Sequence, residues 1–314
     1  MRAPAELLDE ARAGSRAALA RLLSYVEGGG EALRATAALA YRTPVPYVVG
    51  LTGPPGAGKS TLTDQYLAAV LAAPPEGEGR LGVLCVDPSS PFTGGAILGD
   101  RIRMQAHATD DRVFIRSMAT RGHLGGLSLA VPDAVRVLGA TGSRRVLVET
   151  VGVGQMEVDI ASAADTTVVV TNPGWGDAMQ ANKAGLLEVA DVFVINKADR
   201  AGVRETRRDL EQMLDLGGAH DWRPPIVETV ATTGQGIAPL LEALDAHRAH
   251  LDGDGLAARR RAHARAQLEA VVAAALRERA VQRAGGAALE AAVELLLEGR
   301  ADPYGAAETL LSEP

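Results

Sequence analysis

The most specific chemistry in the sequence lies in Gly53 to Ser60, which read GPPGAGKS and fit G-x-x-x-x-G-K-[ST]. The pattern stands between an apolar run, VPYVVGL, and a helix-like stretch, STLTDQYLAAVLAA. In that strand-to-helix setting, glycines let backbone N–H groups turn inward around phosphate oxygens, and the following helix offers them its positive end. Gly53, Pro55, Gly56, Ala57, Gly58 and Thr61 therefore read as a phosphate cradle. Lys59 reads as the point charge on the β- and γ-phosphates, and Ser60 as a hydroxyl ligand of Mg²⁺.

A second polar group closes another apolar run, DVFVINKAD, with Asn196, Lys197 and Asp199 in the pattern N-K-x-D. Open α/β sheets bind ligands outside the carboxyl ends of their strands, which is where this group falls. A carboxylate at Asp199 accepts hydrogen bonds from the N1–H and exocyclic amine of guanine, a donor pair that adenine lacks. An unmatched buried polar group costs about 1–3 kcal/mol, so the predicted ligand is GTP or GDP rather than ATP. The later TVATTGQG occupies the place of a loop that meets the guanine carbonyl through the backbone N–H of Ala231, although Val230 stands where serine is usual.

Glu149 to Gly152, ETVG, ends the run RRVLVET where most GTPases carry D-x-x-G. Glu149 is predicted to hold Mg²⁺ and to support hydrolysis, and Gly152 to give its N–H to the γ-phosphate, so that its loop responds when that phosphate leaves. Asp87 and Asp100 flank a Gly-rich segment in the place of a first switch, and either completes the metal's surroundings. Val153 stands where Ras-type enzymes place a glutamine that orients the attacking water, so unaided hydrolysis is predicted to be slow and a partner to complete the site.

These groups need a scaffold that presents strand ends side by side. Seven apolar runs qualify as strands: VPYVVGL, LGVLCVD, RVFIRS, RRVLVET, TTVVVTN, DVFVINK and PPIVETV. Helix-length stretches lie between most of them, which predicts an α/β fold with a mostly parallel sheet covered on both faces, the three-layer P-loop NTPase arrangement. The sequence divides into an N-terminal helical extension over 1–44, read as two short helices, a nucleotide domain over 45–251, and a helical segment over 252–314 that begins at the flexible break DGDG. The basic run Arg259 to Arg265 reads as a solvated helix face, and so does the pair His247 and His250.

A hydrophobic content of 47% over 314 residues is enough for a large core, and a net charge of −7 makes nucleic acid a poor partner. The single cysteine, Cys85, excludes an internal disulfide and reads as plain core in a reducing compartment, so a cytoplasmic protein is predicted. No stretch approaches the ~20 apolar residues that cross a bilayer, and no secretion signal is evident.

Together GPPGAGKST, CVDPSSPFTGGAILGDRIRM, SMATRGHLGGL, ETVGVGQME, NPGWGDAMQANKAG and INKAD closely resemble the MeaB/ArgK family, which includes the methylmalonic aciduria type A protein. The resemblance implies a homodimeric G-protein chaperone, paired through its C-terminal helices. Its client is an adenosylcobalamin-dependent acyl-CoA mutase such as methylmalonyl-CoA mutase, and it gates cofactor loading and protects or reactivates the mutase. It further implies that Asp87, Asp100 and Glu149 lie at the Mg²⁺ and hydrolysis site, and that Gly174 to Gly185 form a switch facing the mutase. Lys183 matches an activating lysine of that switch, although the family's frequent Lys-Lys pair reads Lys183-Ala184 here. Two other readings stand beside it: a nickel-type metal-delivery GTPase, which shares the architecture and needs Cys and His ligands near a subunit interface, and a GTP- or ATP-dependent kinase of a periplasmic amino-acid transport system, a label carried by some proteins that the chain resembles, which needs a phosphoryl acceptor.

Overall fold

Among the described residues, aliphatic and β-branched runs bounded by glycine and polar connections form seven strands. These are β1 (Tyr47–Thr52), β2 (Arg80–Asp87), β3 (Val113–Ala119), β4 (Ser143–Thr150), β5 (Thr166–Thr171), β6 (Val192–Asn196) and β7 (Ile226–Thr229). The structure, a computed structural model, describes residues 2–74, 79–87, 107, 109–119, 129–150, 159–174, 185, 188–216 and 221–312. All seven strands pair in parallel in the order β3-β2-β4-β1-β5-β6-β7, as the alternation of runs predicts. The chain order reverses direction at β1, whose neighbours are β4 and β5. Leu51 is in register with Glu149 on one side and with Val168 on the other, so the loop leaving β1 emerges between the ends of two other strands.

Strand residues alternate between two covered faces. Val49, Leu51, Val83, Leu147, Val168 and Val194 pack under α4 (Lys59–Ala72) and α7 (Ile237–Leu251). Val48, Leu84, Val86, Val146 and Val148 pack under α5 (Ala130–Ala140) and the N-terminal helices, and Val169, Phe193 and Ile195 under α6 (Val203–Leu216). Cys85 is buried in this core, where the sequence places it.

The N-terminal segment forms three helices instead of the two expected: α1 (Pro4–Arg12), α2 (Arg16–Gly28) and α3 (Gly30–Ala40). The extra break falls at Gly14, which takes φ +105°, followed by Ser15, whose side chain accepts the N–H of Ala18 as an N-cap. These helices are part of the core rather than an appendage: Leu7, Leu19, Leu22 and Leu23 are no more than 1% exposed. Arg12 donates to Ala140 O at the end of α5, and Arg16 to Asp110 O and Val113 O at the start of β3.

The DGDG segment is a short ordered turn instead of an extended flexible break. Gly253 takes φ +81°, and the 31-residue helix α8 (Asp254–Ala284) begins at once. The chain has two compact units, 1–263 and 264–314, divided within α8. The second contains the rest of α8 with α9 (Ala287–Leu297) and α10 (Pro303–Ser312).

Two surface assignments are overturned within the first unit. Arg259 and Arg260 form ion pairs with Asp191 and Asp165, and His247 is 1% exposed, with its ring against Asp191 and Trp222. Local spacing shows a helix face but not the aspartates that arrive from strand starts far away in the chain. His250 and Arg261 remain exposed.

His263 lies in the same region, and its pKa is lowered from 6.5: burial is the largest cause, helped by Arg259 and Arg260 and opposed by Asp165 and the backbone of Ala161. With a depressed folded-state pKa, the unfolded chain takes up the proton first, so this contribution to stability is complete above about pH 6.5 and is lost as pH falls toward the folded value. Melting temperature is therefore expected to drop between pH 7 and 5. His263→Gln should flatten the drop, and an identical slope in both proteins would refute the assignment.

Candidate functional site

The phosphate loop leaves β1 at Thr52 and enters α4 at Lys59. Two of its glycines are sterically required. Gly53 takes φ +136°, and a Cβ there would stand 2.0 Å from Val170 O; Gly58 takes φ +94°, and its Cβ would stand 2.3 Å from Asn196 Nδ2. The loop is thereby pressed against β5 and the end of β6. Lys59 is 6% exposed, and its ammonium donates to Gly53 O at 2.7 Å and Pro54 O at 3.0 Å, inside the loop it was predicted to serve.

One helical turn brings Ser60 and Thr63 onto the face of α4 that looks at β4. Glu149, 2% exposed at the end of β4, accepts from Ser60 Oγ at 2.7 Å and from Thr63 Oγ1 at 3.0 Å. The predicted metal hydroxyl and the predicted metal acid are thus adjacent, a pair of hard oxygen donors of the kind Mg²⁺ prefers. Thr63 was not foreseen; its i+3 spacing from Ser60 was the available signal.

Asn196 joins three segments. Its Nδ2 donates to Ala57 O at 2.8 Å, and its Oδ1 accepts from Thr229 Oγ1 and from Ala231 N, both at 3.1 Å. Lys197 takes φ +58°, a left-handed conformation uncommon for a residue with a Cβ, and its ammonium reaches Gly56 O at 2.6 Å. Its stem therefore crosses the open edge between the phosphate loop and the strand ends. Asp199 follows in an exposed turn, and Val230 bridges to Gln235, closing the loop that carries Ala231. Thr229, also not foreseen, ties the end of β7 to Asn196 at the end of β6.

Of the remaining predicted residues, Pro55, Gly56, Ala57 and Thr61 sit in or directly after the loop. Asp87 ends β2, two strands from β1, with its side chain outside the described residues. Asp100, Gly152 and Lys183 also lie outside the described residues. Among the described residues, no group of three or more His, Cys, Asp and Glu is placed to hold a metal ion.

With a phosphate loop, a hydroxyl–carboxylate pair and an N-K-x-D turn on one sheet edge, relatives are decisive. Residues 19–285 match the family model described as methylmalonyl-CoA mutase-associated GTPase MeaB. The chain belongs to the MeaB family of GTPases. A Pyrococcus horikoshii protein named as a GTPase is 46% identical over 98% of this chain and 97% of its own length. The GTPase ArgK of Escherichia coli is 36% identical over 80% of this chain and 78% of its own. A crystal structure described as an LAO/AO transport system kinase superposes with a TM-score of 0.70 at 24% identity, covering 98% of this chain and 96% of that one, a likeness of fold. Membership in the MeaB family makes a guanine nucleotide the ligand and GTP hydrolysis the activity.

Proposed function

We propose that the chain hydrolyses GTP as a G-protein chaperone of an adenosylcobalamin-dependent acyl-CoA mutase of the methylmalonyl-CoA mutase type, gating cofactor loading and protecting or reactivating the mutase. One observation carries the reading: Asn196 binds the phosphate loop and the Ala231 loop at once, in a chain that matches a mutase-associated family. The nucleotide then lies along the carboxyl edge. Backbone N–H groups of Gly56, Ala57, Gly58 and the start of α4 surround its phosphates, and Asp199 receives the guanine N1–H and amine.

Lys59 moves its ammonium from the Gly53 and Pro54 carbonyls to the β- and γ-phosphates. Ser60 and Glu149 would hold Mg²⁺, with Asp87 and Asp100 assigned to the same ion and to hydrolysis. The ion would neutralise charge on the β- and γ-oxygens. A water attacks the γ-phosphorus, the bond to the β–γ bridging oxygen breaks with its electron pair leaving on GDP, and the water's proton ends on the released phosphate or solvent. Gly152 donates its N–H to the γ-phosphate, and Lys183, in the switch over 174–185, completes the site when the mutase docks. Val153 in place of a water-orienting glutamine supports a slow reaction in the absence of the partner.

The segment over 252–314 serves as a dimerisation arm. In the second unit, Leu268, Val271, Val272 and Leu276 are exposed at helical spacing along α8, an apolar stripe that suits a second copy of the chain. Among the described residues no helix is long and apolar enough to cross a membrane, and the cytoplasm is the proposed compartment. The metal-delivery alternative loses its histidine pair, since His247 is engaged with Thr166 and Asp191.

GTP turnover measured with and without the organism's own cobalamin-dependent mutase tests the reading. The expected result is stimulation on the order of tenfold or more together with complex formation in GTP, since groups supplied in trans can contribute far larger factors. An unchanged rate and no complex with such a mutase would remove the chaperone role and leave the GTPase.

A further inference from the structure

The opposite, amino edge of the sheet carries a buried charged knot that the nucleotide chemistry does not use. Asp165 and Asp191 immediately precede β5 and β6 and are 2% and 6% exposed. Each caps a strand start that parallel pairing leaves unsatisfied: Asp165 Oδ2 accepts the N–H of Val48 at 2.9 Å, and Asp191 Oδ2 that of Thr167 at 2.8 Å. Two consecutive arginines of α8 then grip them in bidentate fashion. Arg259 reaches Asp191 at 2.7 and 2.8 Å, and Arg260 reaches Asp165 at 3.0 and 2.8 Å. Only a guanidinium presents two parallel donors in this way.

The Asp191 side ties in further elements. His247 of α7 lies 3.2 Å from Asp191 through Nε2, and its Nδ1 lies 2.8 Å from Thr166 Oγ1, which in turn pairs with the Tyr47 hydroxyl at 2.6 Å. The Trp222 indole donates to Asp191 O at 2.8 Å, and Phe193 N donates to Pro225 O at 2.9 Å. Strand β5 and helices α7 and α8 contact the Asp191 carboxylate directly, the segment leading into β7 holds its main-chain carbonyl through Trp222, and β1 joins through Tyr47, Thr166 and His247. Strand β6 is only five residues long and is buried throughout. At about 3.3 Å per residue it carries Asn196 roughly 16 Å from the knot, with no bend or bulge to absorb a shift. A displacement at Asp191 therefore passes along β6 to the turn that presents Lys197 and Asp199.

We infer that Arg259 is a positioning residue for guanine recognition, acting through Asp191 and β6 from the far edge of the sheet. The inference rests on the proposed placement of the base at Asp199, and inosine nucleotides separate the two. IDP lacks only the exocyclic amine of GDP, so the ratio of GDP to IDP affinity reports how well the Asp199 carboxylate is aimed and is insensitive to phosphate contacts. A fall in folded population lowers both affinities equally and leaves the ratio alone.

The experiment measures Kd for GDP, IDP and ADP on the full chain as wild type, Arg259→Met and Arg259→Lys, with melting temperature recorded alongside. Wild type should favour GDP over IDP by about ten- to a hundredfold, the worth of one hydrogen bond to a charged acceptor. Arg259→Met should cut that ratio by at least about fivefold. Arg259→Lys, which keeps the charge but loses the fork, should fall between the two, and it carries the test alone should the methionine variant not fold. Unchanged ratios with only a lower melting temperature would overturn the inference, leaving Arg259 as a structural tie. A wild type that holds ADP as well as GDP would instead overturn the guanine reading itself.

Discussion

A chain that begins at residue 45 is expected not to fold. Such a truncation removes α1–α3, whose Leu7, Leu8, Leu19, Leu22, Leu23 and Val26 are between 0% and 6% exposed in one cluster with Val48, Leu84, Val86, Phe114 and Met118. Full burial of one such side chain stabilises by about 1.5–3 kcal/mol, so losing the six helical partners forfeits roughly 9–18 kcal/mol, an upper estimate because denatured chains already bury some surface. Whole domains are stable by only about 5–15 kcal/mol. The lost contacts with Asp110, Val113 and Ala140 add in the same direction. Residues 45–314 should therefore be recovered as insoluble material, or as a species without a cooperative thermal transition by circular dichroism. Leu19→Ala in the full chain should lower stability by about 2–5 kcal/mol and remain folded. A soluble 45–314 protein melting within a few degrees of the full chain would show that residues 1–44 are an extension on which the nucleotide domain does not depend.

That contrast marks what local sequence can and cannot reveal. The strands were legible because each buried run is continuous and bounded by turn residues, and the phosphate loop because its glycines meet backbone and side-chain atoms that no Cβ could clear, as at Gly53 and Gly58. The pairing of Glu149 with Ser60 followed from the strand order, since a strand next to β1 places its terminal acid beside the start of α4. The role of the N-terminal helices was not legible, because an amphipathic stretch records that one face is covered and not by what. The solvated-face reading of Arg259 and Arg260 failed for the same reason: their carboxylate partners, Asp191 and Asp165, lie 68 and 95 positions upstream, and no periodicity reports a pairing at that distance. Thr63 and Thr229 were missed because a threonine in a helix or at a strand end is ordinary until its acceptor is known.

The largest expected change in ligand chemistry comes from Asp199→Asn. In the proposed placement of the base, the carboxylate offers two acceptors to the N1–H and 2-amine of guanine. The amide keeps one acceptor and turns the other into a donor facing the amine. Two mismatched groups at about 1–3 kcal/mol each amount to about 2–6 kcal/mol, or a loss of GDP affinity between roughly 30-fold and 10⁴-fold. Xanthine replaces the 2-amine by a carbonyl that accepts the new amide N–H, while its N1–H still finds the amide oxygen, so XDP should gain where GDP loses. Asp199 stands exposed in its turn, and the bonds that hold the site together come from Asn196 and Lys197, so melting temperature in the absence of nucleotide should stay within a few degrees of wild type. The phosphate contacts proposed for Lys59 are untouched, which confines the change to the base. Titration calorimetry with GDP and XDP on both proteins reads the exchange directly. An Asp199→Asn protein that binds GDP within about threefold of wild type would mean that the purine is recognised elsewhere on this edge, since a carboxylate-to-amide change is not so mild where two N–H donors meet it.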